Sequence, residues 1–231
     1  MEASTNSKNA IHDSNEQRKL CDVLSYDLSM LNYRWETWQQ LFLPDKVRTL
    51  LNNTAAGFFS LVQELLRESI AMGLGRMTDP KSTAGRDNAS IFKLLDMTQY
   101  DNCAGGDLDI ATDLQTIGEL CGKSGALKNL RHRRFAHSDF PTAARKKPLE
   151  KIEDEQIAQL LDALDHVVNA VRTSLGMETA AHSSIVRLDG GVPELVESLE
   201  LAKELGELLL TEDFRVFLAR KDIAEAQPTT G

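Results

Sequence analysis

Cysteine is scarce in this 231-residue chain: Cys21, Cys103 and Cys121 are odd in number, far apart and without any C-x-x-C spacing. That pattern excludes a disulfide framework and a cysteine zinc site, and makes reduced cytosol the expected compartment. Proline numbers only six and aromatics 6%, so little stands in the way of long helices. No apolar run approaches the roughly 20 residues of a bilayer span, and the polar start, MEASTNSKNAIHDSNEQRK, has no signal-peptide core. Neither export nor membrane insertion is expected, and the location is read as cytoplasmic. Positive charge is also short. Twenty-six Lys and Arg face 35 Asp and Glu, a net −9, which argues against a general polyanion binder.

What positive charge there is, is concentrated. Residues 123–147 carry eight Lys or Arg against one acid, Asp139, whereas residues 150–225 carry seventeen acids against seven bases. A local basic site on an acidic body suits a small RNA contact better than wrapping of a duplex.

Periodicity predicts an all-α antiparallel helical bundle with an acidic helical C-terminal extension. Residues 1–12 are read as a disordered N-terminus, 13–176 as the bundle, 177–225 as the extension and 226–231 as a disordered tail. The first helix starts at Asp13 or Ser14 and ends before Pro44, with Leu20, Leu24, Leu28, Leu31, Trp35, Trp38 and Phe42 at spacings of three and four. Both Trp are read as core. A short helix over 45–51 precedes a fresh cap at Asn52-Asn53-Thr54 and a long helix to Met77, whose inner face is read as Phe58, Phe59, Val62, Leu65, Leu66, Ser69, Met72 and Leu74. Residues 81–88 read as a loop, with Asn88 capping a short helix over 89–97. A motif helix begins at Leu108 and kinks or splits near Gly122. A further helix opens at Glu153-Asp154-Glu155 with Ile157, Leu160, Leu161, Leu164, Val167, Val168 and Val171 inward, and His166 is read as packing beside them. Residues 185–188 suggest a short strand, and acidic helices follow over 194–210 and 212–224.

The motif helix closes on LKNLRHRRFAHSD, residues 127–139, the one stretch with evident chemistry. With Leu127 at zero and about 100° per residue, Arg131 falls near +40°, Arg134 near −20° and His137 near −80°. Arg131 and His137 flank one apolar stripe with Arg134 between them, so two guanidinium groups and an imidazole can face one anion such as phosphate. The same residues also suit a solvated basic face or cations at a helix C-terminus.

Residues 131–137 resemble the R-(x)4-6-H signature of the HEPN superfamily, and the wording RHRRFAH looks like its abortive-infection, AbiU-type branch. Upstream, Arg76-Met77-Thr78-Asp79-Pro80 is similar to the R-(L/M)-T-D-P stretch of that branch. The resemblance implies a four- to five-helix antiparallel bundle that dimerises around a shared cleft, and a metal-independent endoribonuclease of a defence or toxin-antitoxin system. Carried over, Arg131 and His137 form the catalytic pair, His132 supports either one, and Lys128, Arg133 and Arg134 hold flanking phosphates. Arg76, Asp79 and Asp139 become supporting candidates, although Arg76 and Asp79 also suit a purely structural turn. No metal and no cofactor are expected.

One departure stands out. Family toxins silenced by adenylylation carry Tyr two residues after the His, where this chain has Asp139. RNA and a second copy of the chain are the expected partners, with a protein antitoxin or other partner on the acidic C-terminal helices. The competing class is a non-catalytic helical module that dimerises and binds nucleotide, RNA or protein.

Overall fold

The computed structural model describes residues 2–98, 110–121, 152–183, 190–209 and 216. Six helices and one two-strand hairpin occur among them: α1 (Glu2–Phe42), α2 (Asp45–Met77), β1 (Ser82–Thr83), β2 (Arg86–Asp87), α3 (Ile91–Thr98), α4 (Ala111–Cys121), α5 (Asp154–Ser174) and α6 (Val192–Leu209). The chain is all-α, as its periodicity predicts. It divides into two units, Met1–Trp38 with Val62–Val186, and Gln39–Leu61 with Arg187–Gly231.

In the first unit the inner stripe of α1 is the expected one. Leu24, Leu28, Leu31, Trp35 and Trp38 are buried, joined by Cys21. The helix runs from Glu2, further back than the Asp13–Ser14 start, because no Gly or Pro before Pro44 stops it. Leu31 lies against Gly73 of α2, and Trp38 beneath Arg67 of α2. Numbers rise on one helix as they fall on the other, so the two are antiparallel. A methyl group built on Gly73 would sit 2.4 Å from Leu31 Cδ2, so this approach depends on the bare Cα at 73.

The inner face of α5 is likewise the expected one: all seven residues named for it are buried, together with Ala163 and Ala170. At roughly 1.5–3 kcal/mol for each large apolar side chain, that face outweighs any single polar contact in the unit. The Glu153 N–H donates to Gln156 Oε1 at 3.1 Å to cap the start. Gly176, at φ 64, ends the helix: its N–H donates to Thr173 O at 2.9 Å and that of Met177 to Arg172 O at 2.8 Å. Arg172 then ties α5 to α1, donating to Asp22 Oδ1 at 3.1 Å and Ser25 Oγ at 3.0 Å. Both α3 and α4 pack on α5.

The second unit joins the end of α1, the first part of α2 and α6. Leu41, Phe42, Leu50, Leu51 and Phe59 are buried, and Lys46 Nζ meets Glu200 Oε1 at 2.7 Å. Helix α2 breaks at Ala55 (φ −158, ψ 69), directly after the expected cap, where Thr54 Oγ1 donates to Leu50 O at 2.9 Å. Two residues of its expected inner face are instead open, Phe58 at 60% and Leu65 at 53% exposed. The expected strand over 185–188 and most of the last helix lie outside the described residues.

Candidate functional site

Helix α4 carries the chain toward the motif, and its placement follows from packing on α5. Ile110 and Ile117 are buried, and Asp113 Oδ2 stands 3.5 Å from His166 Nδ1. His166 is therefore no core residue: its side chain is 57% exposed, on the rim of α5 beside an acid of α4. It sits one position ahead of the Val167–Val168 pair, just past the edge of the buried arc. Lys128, Arg131, His132, Arg133, Arg134, His137 and Asp139 all lie outside the described residues, as does the expected break near Gly122.

The upstream Arg-Met-Thr-Asp-Pro stretch is described, and it forms the end of α2. Met77 and Thr78 are buried, Arg76 is exposed and Asp79 half-buried. Thr78 Oγ1 donates to Leu74 O at 2.9 Å, and the Asp79 N–H to Arg76 O at 3.3 Å. These bonds satisfy carbonyls the helix would leave open, so the stretch has a structural task of its own. The residues after it are a hairpin, not a featureless loop. Ser82 pairs with Asp87 and Thr83 with Arg86 around Ala84 (φ 51) and Gly85 (φ 76), a two-residue turn with both φ positive.

Asn88 does not cap α3. Its side-chain amide donates to Pro80 O at 2.7 Å and Thr83 Oγ1 at 2.8 Å, fastening the hairpin, while Ser90 Oγ accepts the Lys93 N–H at 3.3 Å as the cap. Lys81 to Asp96 at 2.8 Å and Lys93 to Asp87 at 2.7 Å pin the hairpin to α3. The Lys81 hydrogen bond holds the Asp96 carboxyl below its ordinary range, against the opposing effect of desolvation.

Two polar clusters have no counterpart in the sequence reading. After Gly176 the chain folds back along α5. Asn169 donates to Ala180 O at 3.0 Å and accepts the Ala180 N–H at 2.8 Å, while Arg172 Nε donates to Glu178 O at 2.7 Å. The strap ends at His182, which is buried with Nδ1 2.6 Å from Asp165 Oδ1. The His182 side chain is sealed from solvent and that of Asp165 is 31% exposed, and the pair fastens the strap. In the second cluster, Arg67 lies 4.6 Å over the Trp38 ring and donates to Asp154 Oδ1 at 3.2 Å. Burial pushes the Asp154 carboxyl up, against the pull of Arg67.

Other chemistry is thin among the described residues. No group of three or more His, Cys, Asp or Glu is placed to hold a metal ion. Burial pushes the Cys21 thiol up, which makes it a poor nucleophile. A hollow of about 500 Å³ between α2 and α6 has Asp45, Glu200, Glu204 and Glu207 against Lys46 and Lys203, a poor seat for phosphate. No helix among the described residues is long and apolar enough to cross a membrane.

No curated protein and no solved structure matches the chain. A family model described as AbiU2 matches residues 16–184. That span takes in the α2 end, the hairpin, α4, the basic stretch and α5. The core stripes of α1 and α5, the Arg-Met-Thr-Asp-Pro turn and the Arg131-to-His137 wording thus fall within one inherited unit, and the chain belongs to the HEPN_AbiU2 family of abortive-infection HEPN-like proteins.

Proposed function

We propose that this protein is a metal-independent endoribonuclease of a prokaryotic defence or toxin-antitoxin system, acting in the cytoplasm as a homodimer, with Arg131 and His137 as its catalytic pair. The observation that carries this reading is the enclosure of the one strongly basic stretch of an acidic chain within the matched span 16–184.

In this reading His137 takes the proton from a ribose 2'-hydroxyl as that oxygen attacks the adjacent phosphorus. The bond from phosphorus to the 5'-oxygen breaks, and the departing oxygen receives a proton. The products are a 2',3'-cyclic phosphate and a 5'-hydroxyl. Arg131 offsets the negative charge that grows on the phosphorane oxygens, His132 supports the pair, and Lys128, Arg133 and Arg134 hold flanking phosphates. The nucleophile belongs to the RNA, so proton transfer suffices to activate it and DNA is no substrate. Arg76, Asp79 and Asp139 act at a distance, through the turn and through orientation of His137.

A single substitution tests it. His137→Ala is expected to lower RNA cleavage by about 10²–10⁴-fold, the usual contribution of general acid–base catalysis, with RNA binding retained. Substrates with a 2'-deoxy group at the cleaved position are expected to resist. Unchanged cleavage in the His137→Ala protein removes the enzyme and leaves a helical RNA-binding module.

A further inference from the structure

The seam between α4 and α5 holds a group whose charge depends on pH. His166 Nδ1 on α5 stands 3.5 Å from Asp113 Oδ2 on α4. Histidine is the side chain whose charge ordinarily changes between about pH 5 and 8, so this contact is an ionic attraction only while the ring carries its second proton. The Asp113 side chain is 21% exposed, and a carboxylate so far withdrawn from water responds more to a nearby cation than one in open solvent.

Two other acids stand near the ring, both on its own helix: Asp162 one turn back, and Asp165 beside it with its carboxylate engaged by His182 at 2.6 Å. The charges of α3 are taken by the hairpin, and Asp22 of α1 by Arg172. Asp113 is thus the acid through which the charge on His166 acts on a different helix. That helix is lightly seated. Ile117 is the buried residue within α4, with Ile110 just before its start, whereas α5 buries nine. A helix of 11 residues is marginal without tertiary packing, so a contact that comes and goes with pH counts for more on α4 than it would on α5.

We infer that His166 is a proton-operated clasp for α4: a proton taken up on α5 draws α4 onto it, and loss of that proton loosens the seat. α4 runs to Cys121, and the basic stretch begins six residues on at Leu127, so the helix being seated is the stem from which the Arg131-to-His137 segment continues. RNA cleavage then responds to mild acidity through a residue outside the catalytic pair. That consequence rests on the ribonuclease reading; the clasp does not.

Backbone hydrogen exchange of the full chain is compared at about pH 5.5 and 8, with each α4 amide referred to its intrinsic exchange rate at that pH and to the amides of α5. Protection of α4 is expected to be about two- to fivefold higher at the lower pH, the worth of one exposed ion pair. His166→Asn and Asp113→Asn are each expected to abolish that difference, while His166→Lys, which keeps its charge throughout, holds α4 alike at both. Equal α4 protection of the unaltered protein at the two pH values overturns the inference, and so does a pH difference that survives in either Asn variant. In a second arm, the ratio of RNA cleavage by the unaltered protein to that by His166→Asn is expected to fall from about two- to fivefold toward one as pH rises through the same range. A ratio that pH leaves unchanged overturns the link from clasp to site. Absence of cleavage altogether removes the ribonuclease reading and leaves the exchange result standing, so the two fail separately.

Discussion

His182 has one ring nitrogen answered and the other not. Nδ1 is held by Asp165, while Nε2 is buried with no hydrogen-bond partner among the described residues. The Asp165 carboxyl feels burial, which pushes it up, but the hydrogen bond and charge of His182 and the amide of Asn169 outweigh that and bring it below the ordinary range. A depressed carboxylate pKa contributes stability that is present above the ordinary value near 4 and is lost as pH falls through the folded value. Asp165→Asn is therefore expected to flatten the loss of thermal stability below about pH 4. At neutral pH it is expected to cost about 1–3 kcal/mol, since it takes from the buried His182 Nδ1 its carboxylate partner. Superimposable melting profiles of the two proteins from pH 7 to 3 would sink the assignment. This cluster was not legible in the sequence, because its residues are seventeen positions apart and one lies in a strap without periodicity. Trp35 and Trp38 were legible, because spacing alone placed them on the buried stripe of α1. His166 was misread for a related reason: adjacency to a buried pair is not burial, and one step of about 100° carries a side chain past the edge.

At the level of elements, α5 shows when a pattern suffices and the hairpin shows when it does not. The inner face of α5 is named residue for residue by its 3.6-residue period because neighbours cover it along its length. For α2 the same reasoning named Phe58 and Leu65, which are more than half exposed. The hairpin escaped because its turn is Ala84-Gly85, not the Asn-Gly or Asp-Gly that announces such a turn, and because Asn88 looks like a helix cap. Ala84 pays for that choice with φ 51, a left-handed conformation that alanine adopts at roughly 1 kcal/mol. Ala84→Asn is expected to stabilise the protein by about 0.5–1 kcal/mol in urea unfolding, and Ala84→Val to destabilise it. A loss of stability in the Asn variant would show that the turn is not of this type.

For the molecule as a whole, stability is unevenly spread. α5 buries nine residues and α6 none. Hydrogen exchange is expected to reflect this, with α5 amides among the slowest and α6 amides exchanging orders of magnitude faster. Equal protection of both helices would contradict this ordering. The family was legible in the sequence through two short linear stretches, RHRRFAH and Arg-Met-Thr-Asp-Pro; where Arg131 and His137 stand in space is not, because spacing along a chain does not state a distance. One feature supplies its own optical reporter. The chain has two tryptophans, and they form one parallel pair, 5.3 Å apart and 3° from coplanar, with the Arg67 cation above one of them. Indoles so close split each other's electronic transitions, and a guanidinium at the ring face shifts emission. Near-ultraviolet dichroism and intrinsic fluorescence therefore register the seating of α2 on α1 without any label, and every variant named above can be followed through its own light.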